Sequence, residues 1–192
     1  MPRSGVHGFA EAGPAPPWWH VRSQLPRGAR AGASRAHRVA TARRAGRCVA
    51  GSDMRRSPEL SRLSREHHVA LGHALRLRRA TPEDVTVVVA SFLAFLLGPG
   101  RSHFAAEEEW LAPEVPAEHA ELGRRMLGDH DEILRAAERL GLDPEADDAH
   151  RLGELLSRHV RFEERELFPV IEACLPPERL REIARGLSRA SA

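Results

Sequence analysis

Residues 85–97 read VTVVVASFLAFLL, and whether they form a strand or a helix decides the fold class. The segment Val85–Val89 is rich in β-branched side chains, which fit strands well. The apolar run nevertheless continues to Leu97 with no turn residue, beyond ordinary strand length, so length assigns it to a helix. Its start agrees, because Thr81-Pro82-Glu83-Asp84 puts Pro in the first turn and two acids where the helix dipole favours them. The spacing predicts helix B over 82–112, kinked or briefly broken at Gly98-Pro99-Gly100. The run is interrupted by Thr86 and Ser91 and is shorter than the ~18 to 20 apolar residues that span a bilayer, so no membrane span is expected.

The same periodicity extends on both sides. Helix A is predicted over 58–79, with Ser57-Pro58 as its start and Leu60, Leu63, His67, Leu71, Ala74 and Leu77 as its apolar stripe. Pro116 opens helix C, which ends at Gly141; Pro144 opens helix D, which runs to 173; a short amphipathic helix E covers 178–188. The predicted fold is all-α, an up-down-up-down four-helix bundle with a short C-terminal fifth helix. Residues 1–53 mix Pro, Gly, Ala, Ser and Arg without a period and are expected to be a disordered N-terminal tail, while 54–192 form the domain; Met54 offers an alternative start that would remove the tail.

Charge and cysteine narrow the function classes. The net charge is +2, but nine of the 29 Arg lie in residues 1–53 against only Glu11 and Asp53, so the domain itself is mildly acidic. No DNA-binding motif accompanies the basic tail, and nucleic acid is not an expected partner. Cys48 and Cys174 are too few for a disulfide framework, which points to a reducing, cytoplasmic location, with Cys174 as a small core residue.

Chemistry concentrates in a repeated spacing. Helix B carries His103 and Glu107, and helix D carries His159 and Glu163; residues four apart lie on one face, so both donors of each pair can reach one centre. Helix A adds His67 or His68, and helix C adds His130. One such pair is ordinarily a surface contact worth tenths of a kcal/mol. The doubled motif is different, because Phe104, Phe162, Leu167 and Phe168 place both segments inward. Burying unpartnered imidazoles and carboxylates costs several kcal/mol per ionised group, which metal removes. Donors of nitrogen and oxygen without thiolate suit iron, manganese or zinc, and two carboxylates able to bridge predict two ions. Glu108 and Glu164, beside two of these donors, are expected to face solvent or hydrogen-bond a ring, and His73, His119 and His150 to lie outside the centre. Ligand imidazoles must be neutral, so metal affinity is expected to fall below about pH 6, near the ordinary histidine pKa of ~6.5.

In order and separation, SREHHVAL, HFAAEEEWLAP, GDHDEIL and HVRFEERELFP resemble the hemerythrin-like cation-binding, or HHE, domains over about residues 57–188. The resemblance implies a non-haem di-iron centre, bridged by two carboxylates and oxygen, with His67, His103, Glu107, His130, His159 and Glu163 as ligands and His68 as the alternative to His67. Iron is the expected metal ahead of zinc or manganese, and a small diatomic molecule, dioxygen or nitric oxide, the expected ligand. Two departures bear on function. Oxygen-carrying members place a second His one turn further along helix C, where Leu134 stands, and end the helix D motif with Asp where Glu163 stands. The lost imidazole opens coordination and shifts the expectation from reversible oxygen storage toward sensing of dioxygen, nitric oxide or oxidative and iron state, with a di-iron oxidase or reductase acting on dioxygen, peroxide or nitric oxide as the alternative.

Overall fold

The computed structural model describes residues 57–190, and no strand occurs among them. The expected tail and the Met54 start lie outside the described residues. Helix A is α1, Ser61–Leu77. Helix B is two segments, α2 (Val85–Phe95) and α3 (Arg101–Trp110), joined by a wide π-helical turn over Leu96–Gly100. Helix C is α4, Ala120–Leu142. Helix D is α5 (Ala146–Phe162), a second π-helical turn over Glu163–Leu167, and α6 (Phe168–Cys174). Helix E is α7, Pro177–Ala190.

Proline explains both wide turns. A helical Pro lacks the N–H for its own bond and crowds the carbonyl four residues back. Pro99 lies inside the first turn, where Gly98 absorbs the break at φ −103°, ψ −105°. Pro169 follows the second turn, whose Arg165 carbonyl it would otherwise meet. Several helix ends differ from expectation: α1 starts at Ser61 rather than 58, α2 at Val85 rather than 82 and α5 at Ala146 rather than 144. Pro116 is extended rather than helical, so a 3₁₀ turn over Ala117–His119 intervenes and α4 starts at Ala120. Gly141 does not stop the helix, which continues to Leu142 and is capped by the Asp143 N–H donating to the Arg139 carbonyl at 3.1 Å.

The helices pack as a bundle in which α1 lies mainly on α5 and also meets α2, while α4 meets α5 and α2. Close approach of α1 and α5 depends on Gly153, where a Cβ would stand 2.6 Å from the Ala74 carbonyl oxygen. The core forms two apolar clusters. Phe92, Ile133, Leu140, Leu152 and Leu156 belong to one, and Leu60, Met126, Phe162, Phe168 and Ile171 to the other. The fifth helix is part of the second, through Leu180, Ile183 and Leu187. Full burial of each such side chain is worth roughly 1.5–3 kcal/mol, so α7 is bound firmly.

One expectation needs correction. Cys174 is half-buried rather than in the core. The whole stretch Val85–Glu114 is long and apolar enough by composition to cross a membrane, with a window of mean hydropathy 1.6, although the run to Leu97 alone is not. Its Val85, Val89, Phe92 and Leu96 nevertheless face the core, and it carries buried His103 and Glu107.

Candidate metal centre

The buried polar residues among those described are Ser157 and six others: His67, His103, Glu107, His130, His159 and Glu163. They come from α1 (His67), α3 (His103 and Glu107), α4 (His130), α5 (His159) and the first position of the second π-helical turn (Glu163). Both Glu107 and Glu163 are 0 % exposed. His68 is exposed, so the helix A imidazole in this group is His67. Aromatic rings fix two of the histidines: Phe104 stacks on His130 at 3.9 Å between centroids and Phe168 on His67 at 5.5 Å.

The donor atoms fall into two overlapping sets. His67, His103, Glu107 and Glu163 form one; Glu107, His130, His159 and Glu163 form the other; within each, the ligand atoms all lie within 4.8 Å of one another. Both carboxylates belong to both sets. Glu107 Oε1 is 3.2 Å from His103 Nε2 while its Oε2 is 3.4 Å from His130 Nε2. Glu163 Oε2 is 3.1 Å from His67 Nε2 and 3.3 Å from His159 Nε2, and its Oε1 is 3.8 Å from His130 Nε2. Two donors bound at about 2.1 Å to one ion stand about 3.0 Å apart at a right angle and about 4.2 Å apart when opposite. The observed separations fall within that range.

Hydrogen bonding does not explain the arrangement. The Nε2 atoms of His67, His130 and His159 and all four carboxylate oxygens of Glu107 and Glu163 are buried without a hydrogen-bond partner, despite being so close. An orphaned buried polar atom costs about 1–3 kcal/mol, and more when charged. Seven such atoms facing a common space fit cation binding by nitrogen and oxygen donors.

A second layer orients the rings. Glu164 Oε1 is 2.7 Å from His67 Nδ1, Glu66 Oε2 is 2.7 Å from His103 Nδ1, and Glu108 Oε1 is 2.9 Å from His130 Nδ1. A carboxylate accepting from Nδ1–H selects the tautomer whose Nε2 lone pair is free for metal. Each acid is the chain neighbour of a central donor, about 100° around its helix, so it reaches the histidine of the next helix instead of the centre. The series runs from α1 to α3, from α3 to α4, and from the turn after α5 back to α1. Asp129, beside His130 on α4, occupies the remaining place, but its Oδ2 stops 3.6 Å from His159 Nδ1, and that nitrogen has no hydrogen-bond partner. The sequence marked Glu108 and Glu164 but not Glu66 or Asp129; adjacency of an acid to a donor was the available signal.

The carboxylates control protonation in the metal-free protein. Burial opposes charge on His67, but nearby Glu107, Glu163 and Glu164 outweigh it and push its pKa up to about 12. Burial likewise opposes charge on His103, pushed up to about 9 by Glu107 and Glu66, and on His130, pushed up to about 11 by Glu107, Glu108 and Glu163. Burial raises Glu107 and Glu163, and Glu107 also raises Glu163; the surrounding histidines prevail and hold both below the ordinary carboxylate value. Protons on imidazole therefore balance the carboxylates when metal is absent. Metal binding must displace protons from these rings.

Leu134 is partly buried against the apolar core. His73 stacks on Phe95, His119 approaches Glu121 at 3.8 Å, and His150 Nε2 donates to the Ala80 carbonyl at 2.8 Å; none joins either donor set. The chain matches the family model of the hemerythrin HHE cation binding domain over residues 59–171, more than half its length. No curated protein and no solved structure matches it.

Proposed function

The chain belongs to the hemerythrin HHE cation binding domain family, and from that premise we propose a non-haem di-iron protein, of up-down-up-down four-helix topology, that binds or senses dioxygen, nitric oxide or oxidative and iron state. The topology is supported by the packing of α1 and α4 each against α5 and α2. The observation that carries the metal reading is the sharing of Glu107 and Glu163 between two donor sets. Each set offers two imidazoles and two carboxylates, four donors, so a six-coordinate ion keeps open positions.

Two irons would supply a redox centre able to engage a small oxidant or nitric oxide. The residues would bind and orient: His67 and His103 would hold one ion, His130 and His159 the other, and Glu107 and Glu163 are available to both. Glu66, Glu108 and Glu164 keep protons on the Nδ1 atoms of three rings, and Phe104 and Phe168 shield two ring faces from water. The open positions left by Leu134 favour a second reading, a di-iron oxidase or reductase turning over dioxygen, peroxide or nitric oxide.

Metal analysis and absorption spectra of the iron-reconstituted full chain, before and after nitric oxide, test the proposal. Two irons per chain and a spectrum altered by nitric oxide are expected. Iron at background level, or a spectrum indifferent to the gas, would overturn it. Sustained consumption of peroxide or nitric oxide with an electron donor would establish the enzymatic reading over the sensing one.

A further inference from the structure

Beside the centre, between α1 and the broken helix B, lies a cavity of about 580 Å³. A water molecule occupies about 30 Å³ of liquid, and a diatomic gas needs little more, so neither accounts for a space of this size. It falls instead within the roughly 300–1,000 Å³ of sites that take small organic molecules.

The inner wall carries His67, His103 and His159, three of the four central imidazoles, and the side walls are apolar, formed by Ala70, Leu96, Phe104, Leu156 and Val160. The rim carries Arg62, Glu66 and Ser102. Arg62 Nε donates to Glu66 Oε1 at 2.8 Å, and Glu66 also accepts from His103, so the rim's two opposite charges face each other. Side walls that are apolar, with the rim charges already paired, fit a neutral ligand better than an ion.

The wide turn in helix B forms one side of this space. Phe95, Leu96, Pro99 and Gly100 all line it, and Phe95 is steadied by stacking on His73 at 4.4 Å. A π-helical turn holds an extra residue and bulges from the helix line, a form found often at functional sites. The break does not free the ligand that follows it, because His103 is buried and anchored on Glu66.

We propose that this cavity is the binding site of a neutral, largely apolar organic molecule, about the size of a substituted benzene, held against His67, His103 and His159. The site goes beyond the gas-binding reading and depends on neither iron nor a gas response.

The test is fluorine NMR of 4-fluorobenzyl alcohol with the zinc-loaded full chain, repeated with the cobalt-loaded protein to locate the probe. Expected are saturable binding, strong paramagnetic broadening in the cobalt form, and at least tenfold weaker binding of the anion 4-fluorobenzoate. Val69→Trp, at an exposed position lining the cavity, and Ala70→Leu, on its wall, should each weaken the alcohol at least tenfold with metal content unchanged. Val87→Trp, exposed and outside the cavity, should not. Absence of saturable binding to the wild-type protein would overturn the proposal. So would full binding by both cavity variants with their metal retained. Because zinc suffices for the binding measurement, a protein that ignores nitric oxide yet binds the probe would refute the gas reading alone.

Discussion

Replacing Asp129 with Glu should strengthen one of the two metal positions. Three of the four central histidines have a carboxylate within hydrogen-bond distance of Nδ1, at 2.7, 2.7 and 2.9 Å. His159 has Asp129 at 3.6 Å, too far for a bond. The shortfall is about 0.7 Å from the usual N···O distance near 2.9 Å, within reach of one added methylene. Partners of this kind typically change metal affinity 10–100-fold, or about 1.4–2.7 kcal/mol. The wild-type protein should therefore take up two ions unequally, the His67/His103 position filling first and the His130/His159 position binding at least tenfold more weakly. In Asp129→Glu the weaker step should tighten 10–100-fold and the first remain unchanged. Asp129→Ala should alter neither step much, since the bond it removes is not made. Zinc titration against a chromophoric competing chelator reads both steps. An unchanged second step in Asp129→Glu, or a loss in Asp129→Ala as large as that in Glu66→Ala, would refute this account of the asymmetry.

The remaining predictions concern ligand loss, pH and packing. Glu163→Ala should lose both ions because Glu163 belongs to both donor sets, whereas His159→Ala should keep one and His150→Ala two, by elemental analysis. Glu164→Ala should retain metal with affinity reduced 10–100-fold, since it removes the partner of His67 Nδ1. In the metal-free protein the raised histidine values stabilise fully below the unfolded pKa of ~6.5, and that stability is lost as pH rises through about 9, 11 and 12. The depressed Glu107 and Glu163 act oppositely, stabilising above the ordinary carboxylate range and ceasing to do so as pH falls through their lowered values. Its melting temperature should therefore decline from pH 6.5 to 9, and metal uptake at pH 7 should release protons from His67, His103 and His130, measurable by calorimetry in buffers of different ionisation enthalpy. Gly153→Ala would push a Cβ to 2.6 Å from the Ala74 carbonyl and should cost roughly 1–3 kcal/mol in denaturant unfolding.

The central residues were legible because helix geometry is local: HxxxE fixes two donors to one face wherever the helix goes. Choosing His67 over His68 required the apolar stripe of α1, and the structure places His67 in the cluster. Contacts between helices were less accessible. Glu66 reaches His103 across the α1–α3 boundary, and nothing in the order of residues states which acid meets which ring. Pro99 advertises its break; Pro169 carries the same signal for the turn at Glu163–Leu167, but within a pattern that stays helical on both sides. Pro116 and Gly141 misplaced the ends of α4, since an extended Pro can precede a 3₁₀ turn and a Gly can be carried inside a final turn. The cavity depends on how far a bulged helix stands from α1, a tertiary distance without a sequence signature.

Anomalous-scattering maps from crystals of the iron-loaded full chain would test the shared-carboxylate centre most directly. The account predicts two iron peaks about 3.5–4 Å apart, the spacing of two-metal sites, with Glu107 and Glu163 contacting both. A single peak, or two ions of which neither touches both carboxylates, would contradict it.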